Sequence, residues 1–545
     1  MLLKNFLPAL ALFLSLGLTA QDAAPQNWWD LDRSDDNYPG VSSGKALGYL
    51  QGKKARKVVV AVIDSGVDIE HEDLKDIIWT NEDEIPGNNI DDDGNGYVDD
   101  VHGWNFIGGA DGRNVNYENL EIVRMYNAYK RKYNNRNRDG LSKDERREYD
   151  EYKAFEQTIN EKVESLSPTA ATYAALKDAA DRAIKQIGKP IEKITAEDIA
   201  GLGDKDMGTT TLKRVVENSA AAGETPADLY HELEDAMEYF DGQLKYNYNV
   251  DYDARDIVGD NPGDLNDRNY GNNNVEGPDA GHGTHVAGII AAVRDNELGV
   301  DGVGGPNVEI MSIRTVPNGD ERDKDVANAI RYAVDNGASV INMSFGKGQS
   351  PYKRAVDAAM KYAEKNDVLL VHAAGNDGKE LDLTNNFPND TYEGKKKSGR
   401  TWIEVGAAGS SYDKNLPASF SNYNRKYVDV FAPGRGIYST VPDNGYDTYN
   451  GTSMAAPMVA GIAALLRSYF PDLKARQVKD IILESALPVN LQVVKPGTDD
   501  EMISFSELSA TGGLANAYTA VKLAERTKGK NRKLRKSRDE ALVGY

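Results

Sequence analysis

Residues 58–63 read Val-Val-Val-Ala-Val-Ile, a run in which no position is polar. A strand with one wet face alternates apolar and polar residues; a strand covered on both faces reads as an unbroken run of branched apolar side chains. The run is too short for a buried helix and suits an inner strand of a parallel sheet. Comparable runs recur at 310–316, 339–343, 368–372 and 403–407, and helical patterns lie between several of them, at 325–336 and 351–366. Alternating β and α units of this kind predict an α/β fold with a doubly wound, mostly parallel sheet flanked by helices. In such sheets functional groups collect at the carboxyl ends of the strands.

A long charged stretch, 112–249, interrupts this texture. It is almost free of β-branched runs and is punctuated by helix starts. Ser142-Lys143-Asp144-Glu145 has the capping-box pattern, and Thr225-Pro226 offers an N-cap followed by proline at the first helical position. The stretch reads as an inserted helical module, either a solvated decoration or a lid or partner-binding arm. The α/β domain then falls into two parts, 21–111 and 250–526. A short basic run within 527–545 reads as a solvated terminal tail.

The start is a separate matter. Lys4 precedes an apolar run over 6–18, which ends in Thr19-Ala20 before the polar Gln21-Asp22. That order reads as a secretory signal peptide over residues 1–20, too short to span a bilayer comfortably. The expectation is export to the periplasm or the cell exterior, without stable membrane insertion. Lys and Arg number 64 against 86 Asp and Glu, a net charge of −22 over 545 residues, which argues against a nucleic-acid partner. With no cysteine, disulfides, thiolate zinc sites and a thiol nucleophile are excluded.

Three short segments carry chemistry. Val62-Ile63-Asp64-Ser65-Gly66 places an acid at the end of the buried strand. His282-Gly283-Thr284-His285 opens a small-residue helix, and Gly451-Thr452-Ser453-Met454-Ala455 opens an apolar one. A serine hydroxyl is a weak nucleophile until a base takes its proton. An imidazole performs that transfer near neutral pH, and a carboxylate on its other nitrogen fixes the tautomer and stabilises the imidazolium. The backbone N–H of Ser453, at a helix start, points toward a developing oxyanion. His285, close behind His282, reads as a packed or capping residue.

An acid, an imidazole and a hydroxyl in the order Asp, His, Ser closely resemble the subtilisin-like serine protease family. The likeness spans about 58–526, less the insertion. It implies a serine endopeptidase acting on protein or peptide substrates, with Asp64, His282 and Ser453 as catalytic triad. It also implies that Asn376, in Ala373-Ala374-Gly375-Asn376, donates its side-chain amide to the oxyanion. Ser344, Phe345 and Gly346, with Ala373, Ala374 and Gly375, would line the substrate groove. Phe345 suggests an apolar wall, and neither segment holds an acid that would select basic residues, so a broad or apolar preference is expected. Two features depart from the family pattern. The stretch from Gln21 to Asp64 is short for a folding prodomain, and the one between Asp64 and His282 is far longer than in compact members.

Two segments suggest structural calcium. In residues 89–100, Asp91, Asp93, Asn95 and Asp99 fall at the first, third, fifth and ninth places of an oxygen-donor loop, with Gly96 at the sixth. The twelfth place is His102 in place of Glu, so the segment is no EF-hand. By resemblance, a second site would use the loop after the His282 helix, residues 293–300, with Asp295 in the loop and Asp73 as a distant ligand. Calcium would brace an exported chain that lacks disulfides.

Overall fold

Successive residues of the first strand are divided between two apolar cores. In a computed structural model, which describes residues 24–203, 206–221, 223–394 and 399–529, β1 (Val58–Asp64) is buried along almost its whole length. Val58, Val60 and Val62 enter one core while Ala61 and Ile63 enter the other. This is the physical reason for an unbroken apolar run: the period-2 alternation of a strand meets a dry layer on either side. The expected signal peptide over 1–20 lies outside the described residues, as does most of the basic tail, from 530 onward.

Around β1 lie β2 (Gly103–Asn105), β3 (Val308–Arg314), β4 (Val340–Met343), β5 (Leu369–Ala373), β6 (Trp402–Ala408) and β7 (Val430–Pro433). Their order is β2-β3-β1-β4-β5-β6-β7, each neighbouring pair parallel. β8 (Ile437–Val441) and β9 (Gly445–Tyr449) form an antiparallel hairpin. Beyond β7 the sheet is completed by β13 (Gly513–Leu514), parallel, and β10 (Leu487–Pro488), antiparallel; β11 (Gln492–Val494) and β12 (Met502–Ser504) pair separately. The sheet is thus mostly parallel, and the apolar runs read from the sequence fall on β1, β3, β4, β5 and β6.

The helices are α1 (Ser43–Leu50), α2 (Glu121–Tyr133), α3 (Lys143–Ile187), α4 (Met207–Ala221), α5 (Pro226–Asp241), α6 (Gly281–Ala291), α7 (Asp323–Asp335), α8 (Lys353–Lys365), α9 (Thr452–Tyr469), α10 (Ala475–Glu484) and α11 (Ala517–Arg526), with shorter turns between them. α6 and α9 fill the core on the Val58–Val60–Val62 face, and α7 and α8 cover the other. α2 to α5 lie within 112–249 and pack on cores of their own: Val123, Tyr126 and Tyr133 against Tyr152 and Ile159, and Leu176 and Ala180 against Leu212, Val216, Leu229 and Leu233. Two helix starts are set by local chemistry. Ser142 and Glu145 exchange the reciprocal bonds of a capping box at α3; Thr225 and Asp228 do the same at α5, where Pro226 follows at the first helical position.

The strand order reverses direction at β1, which has β3 on one side and β4 on the other. The crevice that opens there, at the carboxyl ends of the strands, is where an open α/β sheet positions its functional groups.

Candidate active site

Asp64 is the last residue of β1 and is 1% exposed as a side chain. His282 sits in the first turn of α6, its Nδ1 2.6 Å from Asp64 Oδ1. The close approach depends on Gly283. A Cβ there would fall 2.0 Å from the carbonyl oxygen of Gly66, so any side chain would drive α6 away from the end of β1. Ser65 N–H donates to the same Asp64 oxygen at 2.8 Å. Burial disfavours a charged imidazole, but the adjacent Asp64 carboxylate outweighs it, and the His282 pKa lies above its ordinary value. A carboxylate acceptor on Nδ1 makes that nitrogen the donor and leaves Nε2 as the basic position.

Ser453 lies in the first turn of α9, where backbone N–H groups have no partner within the helix. Thr452 N–H donates to Asn376 Oδ1 at 2.9 Å, and the Thr452 hydroxyl donates to the same oxygen at 2.9 Å. Thr452 Oγ1 in turn accepts from Gly375 N–H at 3.0 Å. These bonds fix the Asn376 amide with its oxygen toward the helix and its Nδ2 hydrogens as the free end. A Cβ on Gly451 would lie 3.4 Å from Asn376 Nδ2 and 3.5 Å from Ser453 N. Two donors therefore flank one small space, which the absence of a side chain at 451 keeps open. The Ser453 hydroxyl donates to the Ser344 carbonyl at 3.1 Å, and Ser344 Oγ donates to the Ser453 carbonyl at 2.8 Å, tying the start of α9 to the segment after β4.

Two hollows meet at residues 344–346. One, about 500 Å³, is lined by Ser344, Phe345, Gly346, Ala373, Gly375, Asn376 and Ser453, with Asn386, Asp377 and Lys379 on its outer side. The other, about 290 Å³, is lined by Asp64, His282, Arg314, Asn318, Gly319, Glu321 and the same Ser344-Phe345-Gly346 wall. Asp64 and His282 thus border one hollow and Ser453 and Asn376 the other, with the Ser344-Phe345-Gly346 segment common to both. Ala374 is the exception among the expected groove residues. It is fully buried, and its carbonyl accepts from the side-chain amides of Asn386 and Asn422, because alternate residues of an extended segment face opposite ways. Phe345 is 8% exposed and its ring stands edge-on to His372, so the groove takes little apolar surface from it.

The family comparison decides what this arrangement belongs to. The model of the subtilase family matches residues 55–521. The chain belongs to the subtilase family. It is 42% identical over 209 residues to subtilisin DY of Bacillus licheniformis, across 38% of this chain and 70% of that protein. To the thermitase of Thermoactinomyces vulgaris it is 41% identical over 192 residues, 34% and 61% of the respective chains. To the cell wall-associated protease of Bacillus subtilis (strain 168) it is 36% identical over 252 residues, 46% of this chain and 26% of that one. Membership makes it, at the level of the family, a serine endopeptidase.

Several supports of this subtilase groove have no signature in the sequence. His372 is buried, with Nε2 donating to the Phe345 carbonyl at 2.8 Å and Nδ1 2.9 Å from Glu404, so a polar pair inside the sheet holds the groove wall. Arg314 is buried beside Asp64 and donates to the carbonyls of Ser65 and Val115; burial lowers its pKa to about 10. The rim reaches the insertion through Lys347, which is 1% exposed as a side chain, ion-pairs with Glu121 of α2 and donates to the Glu321 carbonyl. Arg124 of α2 donates to the carbonyls of Asp320 and Glu321. His285 is packed, as its position after His282 suggests. Its Nε2 donates between the carbonyls of Ile437 and Asp447, its ring stacks on Tyr449, and burial lowers its pKa to about 3.

The acidic segments are arranged differently from the loop spacing. Asp91 accepts from the N–H groups of Asn95 and Gly96 and closes its own turn, and Asp99 accepts from those of Gly87, Asn88 and Asn89 and holds the start of the segment. Among the described residues, the acids whose oxygens lie within 4.8 Å of one another are Glu84, Asp93 and Asp100. Asp93 and Asn95 keep a place at this point; Asp91 and Asp99 do not. Asp73 and Asp295 are not brought together either. Asp73 accepts from Asn296 Nδ2, Val300 N–H and the Tyr446 hydroxyl, while Asp295 is exposed. The guanidinium of Arg294 occupies that loop, donating to the carbonyls of Asp301 and Gly302 and pairing with Asp30.

Proposed function

We propose that this subtilase is an exported serine endopeptidase in which Asp64, His282 and Ser453 form the triad and Ser453 N–H and Asn376 Nδ2 form the oxyanion hole. The observation that carries the reading is the 2.6 Å contact of His282 with buried Asp64, across the Ser344–Gly346 wall from a serine that opens a helix. A substrate strand lies in the groove along 344–346, and Ser453 Oγ leaves the Ser344 carbonyl to attack the scissile carbonyl. His282 Nε2 takes the hydroxyl proton, and Asp64 stabilises the imidazolium that forms. Negative charge builds on the carbonyl oxygen between two donors that need no reorganisation. The imidazolium then protonates the leaving amine, and the acyl-enzyme is released by a water activated at the same nitrogen.

Export is supported by the signal-like start and by a cell wall-associated relative; no helix among the described residues is long and apolar enough to cross a membrane. Calcium as a structural ion belongs to the same reading. The test of the catalytic assignment is a fluorophosphonate probe with peptide-library cleavage. The chain is labelled at Ser453 and cleaves, and Ser453→Ala does neither. Undiminished cleavage by Ser453→Ala removes the proposal.

A further inference from the structure

Glu84 is 6% exposed, and its Oε2 has no hydrogen-bond partner. Its other oxygen accepts from the N–H groups of Asp92 and Asp93, which aims the carboxylate at the acidic loop. Asp100, fully buried, accepts from Asn81 Nδ2 at 2.9 Å, Asn95 Nδ2 at 3.1 Å and the Tyr332 hydroxyl at 2.5 Å. Asp93 Oδ2 accepts from the same two asparagines. The partners of all three carboxylates are thus neutral: backbone N–H groups, two amides and a phenol. Three acids packed together with only neutral donors repel one another, and burial raises the cost, since the group that could be hydrated or paired is neither. A hollow lined by Asn81, Asp93 and Asn95 opens the cluster to solvent.

We infer that Glu84, Asp93 and Asp100, with the side chains of Asn81 and Asn95 beside them, form the seat of a hard divalent cation of the calcium type. The three carboxylates offer only oxygen and several negative charges, which suits calcium and excludes metals that require nitrogen or sulfur. The ion would pin the 84–100 loop to Tyr332 of α7 and so to the sheet. This deepens the calcium part of the proposed function and is independent of the peptidase part.

The test uses the full chain carrying Ser453→Ala, which removes autolysis, stripped with a chelator. Tb³⁺ is titrated in, with luminescence excited through nearby tyrosines, Tyr332 among them, and is displaced with Ca²⁺. One saturable site is expected, weakened about tenfold or more by Glu84→Gln and unchanged by Asp91→Asn. Thermal melting supplies a second readout. In chelator, Glu84→Gln melts at or above the parent because a buried unpaired charge is gone; with Ca²⁺ the parent gains more than the variant. Absence of a saturable site overturns both the seat and the calcium reading. A site lost in Asp91→Asn but kept in Glu84→Gln overturns the seat alone.

Discussion

Truncating Asn376 isolates the oxyanion hole from the rest of the site. The Asn376 amide nitrogen and the Ser453 backbone nitrogen lie 3.4 and 3.5 Å from the point a Gly451 Cβ would occupy, so the proposed oxyanion hole has two protein donors and Asn376→Ala removes one. The loss of one such donor, measured in subtilisin, is about 2.7–4 kcal/mol. At about 1.36 kcal/mol per decade, kcat should fall about 10²–10³-fold. The donor addresses charge that exists only near the transition state, so KM should stay nearly constant. Asn376→Asp keeps an acceptor for Thr452 but replaces the donor with a carboxylate, and should lose at least as much. That comparison separates donation to substrate from the support Asn376 gives to Thr452. The assay is steady-state hydrolysis of a chromogenic peptide, normalised to the sites titrated by a fluorophosphonate. A fall in kcat below about tenfold, or a loss confined to KM, would refute the two-donor geometry.

Two further outcomes follow from the same structure. In the proposed mechanism His282 must be neutral to act as base, and Asp64 raises its pKa, so kcat/KM should rise with pH through a midpoint above the ordinary imidazole value of 6.5; Asp64→Asn should move that midpoint down and cut kcat about 10⁴-fold, and an unmoved midpoint refutes the pairing. Arg255 is 5% exposed and binds both Asp260 and Asp325; Arg255→Ala leaves Asp260 with Lys324 but leaves buried Asp325 with the Tyr270 hydroxyl in place of its cation, and should cost about 3–5 kcal/mol; a denaturant midpoint close to the parent's would show the network to be dispensable.

By itself the sequence determined whatever depends on neighbours a few residues apart. The run at 58–63 specified a doubly covered strand because six consecutive side chains alternate between two faces and none tolerates water. Ser142 with Glu145, and Thr225 with Pro226, specified helix starts because capping bonds close within one turn. Asp64, His282 and Ser453 read as a triad through their order along the chain and the family likeness it implies, while the strand end that carries Asp64 and the helix starts that carry His282 and Ser453 were legible from local pattern. Asp91 and Asp99 misled for the same reason. Their spacing is that of an ion loop, yet Asp91 meets the N–H groups of its own turn and Asp99 reaches back to that of Gly87, while Asp93 and Asp100 of the same segment meet Glu84 from outside it. Only the tertiary structure decided that Arg294 fills the loop after α6, that Ala374 turns inward, and that Lys347 ties the groove rim to α2. A charged side chain is committed by whichever partner reaches it first through space, and in a chain with 86 acidic residues that choice lies in the path of the backbone.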